Sequence, residues 1–501
     1  MIAEWLDNPI FIKHVRSRLR PRAFAGSAAI TVMIALSILY ATYEANAFAS
    51  GDGFVALLVL QTILLGVMGA TQVGASVGAA KASGILDFHR VSPQSPWELT
   101  LGFLAGAPVR EYLLAALTLP FLIFCVGMGF PDFRGLVQAE LLILGVSWIL
   151  HAMALLGGLT LKSSMSAQNA FGVMFFLAVM VSGPMFGTFS RFKGLIDGDQ
   201  RLDLFLISLP WLAVVLLHLG AALSFILLAA SRKMESERRH GLSKPQAMAA
   251  MALFALLAVG GETNWRGDAS AALTVLYVLT TAAAVVAIPT APTRLEFRKG
   301  MRRARKLGLD RPSAWDDFAP NRPTLAAIGA TLLLAGTLLA RGVPESMTPG
   351  IASQGFPLAV ATGVLVVASF GLAQQYFLLR FGPNLFAVFL FATWALPMVL
   401  GVIALATAGP PRGESQALAT LIFAASPSLA IAAAAGAFSS AGAAAPTTVA
   451  ITMTLLYTFV FNTLYTREVR RARALAEAGS GADKPAPEPL DFPAEPAAAP
   501  G

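Results

Sequence analysis

Thirteen apolar stretches, most of them long enough to cross a bilayer, recur along this chain, and no water-soluble core could hold them all. A spanning helix needs roughly 20 apolar residues. The first half supplies six runs, near residues 23–43, 53–80, 109–130, 135–160, 168–189 and 205–230. The second supplies seven, near 246–260, 269–290, 323–341, 355–378, 384–408, 417–437 and 444–464. Composition agrees: the chain is 56% hydrophobic and 13% charged, against about 45–50% and about 25% for a soluble domain. The reading is an all-α polytopic protein of the cell membrane. The first run follows a charged segment and is too long for a signal-peptide core, so it is expected to stay as an anchor. Cys125, the single cysteine, lies inside an apolar run; neither a disulfide framework nor a Cys-based metal site is expected.

Charge sets the expected topology. The net charge is +8, but the basic residues cluster in short loops, which marks cytoplasmic loops and not a nucleic-acid surface. Lys13, Arg16, Arg18, Arg20 and Arg22 precede the first run. SRKMESERRHGLSK follows the sixth, TRLEFRKGMRRARKLGLDR the eighth, and TREVRRAR the last. Thirteen crossings would put the last segment outside, against the positive-inside rule; twelve put both termini in the cytoplasm. The run demoted is ASPSLAIAAAAGAFSS, Ala425 to Ser440, rich in small residues and holding Ser-Pro. It reads as a re-entrant or interfacial hairpin on the outer side, with an ordinary crossing and an outside C-terminus as the alternative. SRFKGLIDGDQRLD, on the outer side, breaks the rule with Arg191, Lys193 and Arg201.

The expected architecture is about 12 transmembrane helices in two six-helix halves. It comprises an N-terminal amphipathic interface helix in 1–22, a first half over 23–230 with an inner loop at 81–108, and a basic cytoplasmic linker at 231–245. A second half follows over 246–465, with a basic loop at 291–322 and the outer hairpin within 417–440. A cytoplasmic, largely disordered tail occupies 466–501. In each half the longest inner loop lies between the second and third spans, a layout that suggests internal duplication.

The inner loop at 81–108 is too polar to span, yet it starts a helix deliberately. Ser95 stands as N-cap, Pro96 takes the first helical position, and Glu98 three residues on completes a capping box. Trp97 adds an interfacial ring. At the N-terminus, NPIFIKHVRSRLRP places Ile12, Val15 and Leu19 at helical spacing, with Lys13, Arg16 and Arg20 largely on another face. Such a helix should lie in the membrane interface and end at Pro21.

Asn8 and Pro9 leading an amphipathic helix, two spans, then Gly84, Leu86 and Asp87, then Ser95, Pro96 and Glu98, then Gly102 and four more spans: this order resembles the permease subunit of type-2 ABC transporters, mostly exporters. The resemblance covers roughly residues 8–230. It implies that the loop is a coupling region docking on a separate cytosolic ATPase, and that ATP is bound by that partner, with no cofactor in this chain. The family's usual acid before the Gly and Thr after it are replaced by Ala82 and Ile85, and its Lys after the second Gly by Phe103. If the second half is a degenerate copy, Arg298, Arg302 and Arg305 offer a second contact, to the ATPase or to anionic lipid. One chain would then form the whole pathway; otherwise it would homodimerise.

Other chemistry is not evident. No G-x-x-x-x-G-K-[ST] loop and no H-E-x-x-H occurs. His151 and His218 fall within runs, where a lone His is more often a packing residue than a site. Glu140, at a run's edge, should reach the interface. Gln374 and Gln375 are placed to hydrogen-bond across helices. Pro184 and Pro397 should kink their helices. The scarcity of intramembrane acids argues against self-contained secondary transport and for energy from a partner. The competing reading is a non-transporting membrane scaffold or assembly factor with a permease-like fold.

Overall fold

The computed structural model describes residues 7–46, 51–129, 132–160, 200–205, 207–237, 239–261, 264, 268–341, 355–407, 421–435 and 445–478. Helix α1 (Pro9–Arg18) precedes two long helices, α2 (Pro21–Asn46) and α3 (Asp52–Ala82). Two short helices follow, α4 (Ile85–Val91) and α5 (Pro96–Gly106), before α6 (Val109–Gly127) and α7 (Phe133–Thr160). After strands β1 (Arg201–Leu204) and β2 (Ile207–Pro210) come α8 (Trp211–Glu235), α9 (Lys244–Gly260) and α10 (Ala269–Ala287). The remaining helices are α11 (Arg294–Lys306), α12 (Arg322–Ala340), α13 (Gly355–Arg380), α14 (Pro383–Leu390), α15 (Leu396–Thr407), α16 (Pro427–Ala434) and α17 (Ala445–Ala478).

Among the described residues nine helices are long and apolar enough to cross a membrane. This is a multi-spanning helical membrane protein; nine of the thirteen apolar runs appear as such helices among the described residues. The expected run at 168–189, with Pro184, lies outside the described residues. The run at 246–260 forms α9, only 17 residues long. The run at 384–408 is split, with a π-helix at Phe391–Ala395 between α14 and α15. Pro397 sits just after it: proline has no N–H for the preceding turn, and the wider turn accommodates that loss. Within 417–440, α16 has eight residues and starts after a turn at Ser426, whose hydroxyl donates to the Trp394 carbonyl at 3.0 Å.

Two expectations change in kind. The sixth run does not start as a helix: residues 201–210 form a short antiparallel hairpin pairing Arg201 with Pro210 and Leu204 with Ile207, a local addition to an all-α fold. Asn264 clamps it, accepting from the Asp203 N–H at 2.7 Å and donating to the Asp203 carbonyl at 2.6 Å. Arg201 donates to the Ser208 carbonyl, so this out-of-place cation has a local partner. The last helix, expected to end near 465, runs on to Ala478. Its extension is rich in helix-favouring Arg, Ala and Glu, and Ala472 is buried with Phe297, Met301 and Leu379. Residues 479–501 lie outside the described residues.

Buried side chains segregate along the chain. One large cluster joins α9, α10, α12, α13, α16 and α17. Two others lie in the first half. One, at the far end, joins α2, α3, α6 and α7. The second joins α1, α4 and α5 to α3, α7 and α8. This last cluster anchors the short helices at the end of the bundle where Lys81 meets the Leu159 carbonyl and Glu237.

Candidate functional site

The short helices are locally encoded and mutually locked. Asn8 caps α1, its Oδ1 accepting from the Ile10 and Phe11 N–H groups at 3.0 and 3.3 Å, and Pro9 fills the first helical position. On α5, Ser95 Oγ accepts from the Glu98 N–H at 3.2 Å, and Glu98 Oε2 accepts from the Ser95 N–H at 2.8 Å. The capping box is therefore complete, with Pro96 at the first position. Asn8 joins the two motifs: its Nδ2 donates to the Glu98 carbonyl at 2.8 Å.

Gly102 and Gly106 explain how close the two helices come. A Cβ on Gly102 would stand 2.7 Å from Asn8 Oδ1 and 2.9 Å from Ile10 Cβ. One on Gly106 would stand 3.1 Å from Phe11 Cα and 3.2 Å from His14 Cβ. Small residues four apart let helices approach closely. Ile10 and His14 are the buried face of α1, and His14 meets Phe103 edge to face. The face expected from Ile12, Val15 and Leu19 is only half-buried, while Lys13, Arg16 and Arg20 are exposed as expected. Sequence reasoning missed Gly106 and His14; the Gly102-x-x-x-Gly106 spacing was the available signal.

Burial, with Arg18 and Lys13 nearby, lowers the His14 pKa from 6.5 to about 4. The imidazole is thus neutral when α1 is docked and protonates more readily when it is free. Docking strength is full above about pH 6.5 and falls as pH drops from there toward 4. We expect Ile10–Arg18 amides to lose hydrogen-exchange protection, after intrinsic-rate correction, between pH 7.5 and 5.5, and His14→Gln to flatten that dependence. Unchanged protection in the unmodified protein would contradict the docked-neutral assignment.

Helix α4 begins after Gly84, whose φ of +72° ends α3 in the left-handed conformation that glycine adopts freely. Leu86 is buried in the shared cluster. Asp87 accepts from Arg90 Nη1 at 2.6 Å, and the rest of that guanidinium donates to the Lys233 and Met234 carbonyls at the end of α8. Lys81 donates to the Leu159 carbonyl at 2.9 Å and pairs with Glu237 at 2.8 Å, a contact that holds the Glu237 carboxyl below its usual pKa. So Arg90 ties α4 to α8, and Lys81 ties the end of α3 to α7 and to the residues after α8, contacts that sequence reasoning did not single out. The outward face of α4 and α5 sets large apolar side chains beside the exposed Asp87 and Glu98: Phe88 is 70%, Val91 83% and Trp97 44% exposed.

The second basic loop is built differently. Thr293 and Glu296 form a capping box on α11, at 3.4 Å from the Glu296 N–H and 2.7 Å from the Thr293 N–H. That helix packs on α13 and α17. Arg298, Arg302 and Arg305 lie there, Arg302 exposed and the other two half-buried. Between the two loops, the residues after α8 serve both. Glu237 meets Lys81, while Arg232 approaches Asp317 at 3.6 Å and His240 lies 3.1 Å from the Pro289 carbonyl.

Lys244, at the end of the linker, is fully buried. Its Nζ donates to the Ala319, Ala314 and Pro320 carbonyls at 2.9, 3.1 and 3.4 Å. Gln375 donates to the Pro292 carbonyl and accepts from the Asn321 N–H, and Gln374 donates to the Ile288 carbonyl. Gln375 therefore holds both ends of the 291–322 loop to α13, and Gln374 holds the turn that follows α10.

Inside the bundle, Glu140 on α7 accepts from Gln61 Nε2 on α3 at 3.1 Å. His151 is fully buried beside a π-helix, Ile63–Gly69, within α3. The Leu65 carbonyl 2.8 Å from Nε2 can only accept, so Nε2 carries the proton and Nδ1 takes the Tyr112 hydroxyl at 3.1 Å. His218 Nδ1 lies 2.7 Å from the Val214 carbonyl one turn earlier. Among the described residues no group of three or more His, Cys, Asp or Glu is placed to hold a metal ion. No family model matches this chain, and neither curated proteins nor solved structures give a match, so the structure itself carries the conclusion: a polytopic, largely helical membrane protein with a locked layer of short helices at one end.

Proposed function

We propose that this chain is the permease subunit of an ATP-driven ABC transporter, an exporter, coupled to a separate cytosolic ATPase. The observation that carries this reading is the lock between α1 and α5. One asparagine caps the first helix and grips the second, and two glycines seat the helices against each other. A capped, braced α5 presenting Trp97 outward, with Phe88 and Val91 exposed on the preceding α4, is suited to receive a push and pass it on. Gly84, Leu86, Asp87, Ser95, Pro96, Trp97, Glu98 and Gly102 form the coupling region of this proposal. Arg298, Arg302 and Arg305 are its second cytoplasmic contact. ATP binds on the partner, and the two halves of the chain rock about the shared α8 end to open an outward path. The locked layer faces the cytoplasm, as do both termini.

The test is gentle purification from native membranes by a C-terminal tag, with the accompanying proteins identified. A stoichiometric ATPase, lost on changing Ser95–Leu99, is the expected result. Its absence from a preparation that retains other complexes would replace this reading with a membrane scaffold or assembly factor. In the same system, Ser95→Ala with Glu98→Ala removes a cap worth about 1 kcal/mol. Insertion should persist while transport-coupled ATP turnover falls; full turnover would count against a lever.

A further inference from the structure

One exposed face of α17 changes character along its length. Leu456, Phe459, Thr463, Arg467 and Arg470 fall within a narrow stripe, since each lies three or four residues from the next. Leu456 is 51% and Phe459 71% exposed. Below them Asn462, Thr463, Thr466, Arg467 and Arg470 line a shallow groove. The Thr463 and Thr466 hydroxyls are spent within the helix, donating to the Phe459 and Asn462 carbonyls one turn back, so the arginines carry the polar end of the groove. Glu468, the acid of this stretch, turns to the opposite side, toward Arg380 and Arg471, each at 3.7 Å. The two groove arginines thus keep their charge for another ligand.

We propose that this face is a binding site for one anionic phospholipid. Its acyl chain lies along Leu456 and Phe459, and its headgroup phosphate is held by Arg467 and Arg470. The span from Leu456 to Arg470 is about 21 Å at 1.5 Å per residue, close to half a bilayer core of about 15 Å plus a headgroup layer. Guanidinium groups match phosphate oxygens in shape and charge. Neighbouring α11 strengthens the field. It buries Phe297 and Met301 against Val469 and Ala472, and carries seven cations against one acid, Glu296, which is occupied in its own cap. An acidic protein partner would not need the apolar upper half of the stripe, whereas a lipid does.

The full chain is reconstituted in mixed phosphatidylglycerol and phosphatidylcholine, and co-purifying lipid is counted by native mass spectrometry. A photoactivatable phosphatidylglycerol maps the contact. Phosphatidylglycerol should be retained over phosphatidylcholine, and its label should fall on the peptide spanning 456–470. Arg467→Gln with Arg470→Gln should lower that preference at least about tenfold, while Arg201→Gln with Arg341→Gln, exposed cations of the hairpin and of the end of α12, should leave it intact. Equal loss in both double variants would mean diffuse charge and would overturn the site, as would label elsewhere in the unmodified protein. Displacement by inorganic phosphate alone would equally remove the lipid from the proposal. None of these outcomes depends on the presence of an ATPase.

Discussion

The Gly102→Leu variant is expected to release α1 from α5 while its membrane-spanning helices still insert. A Cβ at 102 would press on Asn8 Oδ1 at 2.7 Å and on Ile10 Cβ at 2.9 Å. Neither neighbour can yield easily. Asn8 is held by two accepted N–H groups and one donated bond, and Ile10 is 2% exposed within the shared cluster. Overpacking of this kind costs about 1–3 kcal/mol, enough to shift the docking equilibrium roughly tenfold or more. Exchange protection of the α1 amides reads the effect directly. Gly78→Ala is the control, because nothing lies within 4 Å of a Cβ there. If α1 stays as protected in Gly102→Leu as in the control, the close approach is not what holds the helix.

Lys244→Met should cost more. Its ammonium satisfies the Ala314, Ala319 and Pro320 carbonyls, and methionine of similar length has nothing to donate. Leaving buried acceptors unmet costs roughly 1–3 kcal/mol each, so a loss of about 3 kcal/mol or more is expected in denaturant or thermal unfolding. The 291–322 loop should be the first region cleaved by protease. Burial lowers the Lys244 pKa from 10.5 to about 8, partly opposed by Asp317 and Asp316. A folded pKa below the unfolded one means that burying the charge is a penalty, full below about pH 8. The unfolding free energy should therefore gain from this group as pH rises from 8 to 10.5, and Lys244→Met should lose that slope. A variant as stable as the parent, with the same slope, would show that the loop is held by other contacts.

The membrane-spanning class was legible because it rests on run length and charge, both of which are written linearly. Ser95 and Glu98 were legible for a related reason: caps act within three or four residues. The partnership of Asn8 with Glu98 is different. It joins positions 90 apart, and only a side chain reaching a backbone carbonyl reveals it. His14 was obscured by the basic residues around it, which drew attention to charge and away from the small cavity made by Gly106. Lys244 looked like one more topological cation in a basic linker; three carbonyls gathered from residues 314–320 give it another task. The hairpin at 201–210 defeated the reading because its apolar residues merge with those of α8. Only Phe205, with φ of 58°, and the Pro210 that precedes the helix interrupt the run.

The π-helix in α3 carries an implication for the lineage of the fold. A π-turn is in effect one residue more than an ordinary helix needs, and one residue corresponds to about 100° of rotation. Gln61 lies before the insertion and points at Glu140; Gly74 and Val77 lie after it and pack on Ala154 and Gly158. An unbroken helix could align with one set of neighbours on α7 but not with both. Residues 63–69 therefore act as a phase adjuster between two reading frames of contacts, and a one-residue deletion there should survive only if the Gln61 and Glu140 side chains are changed with it.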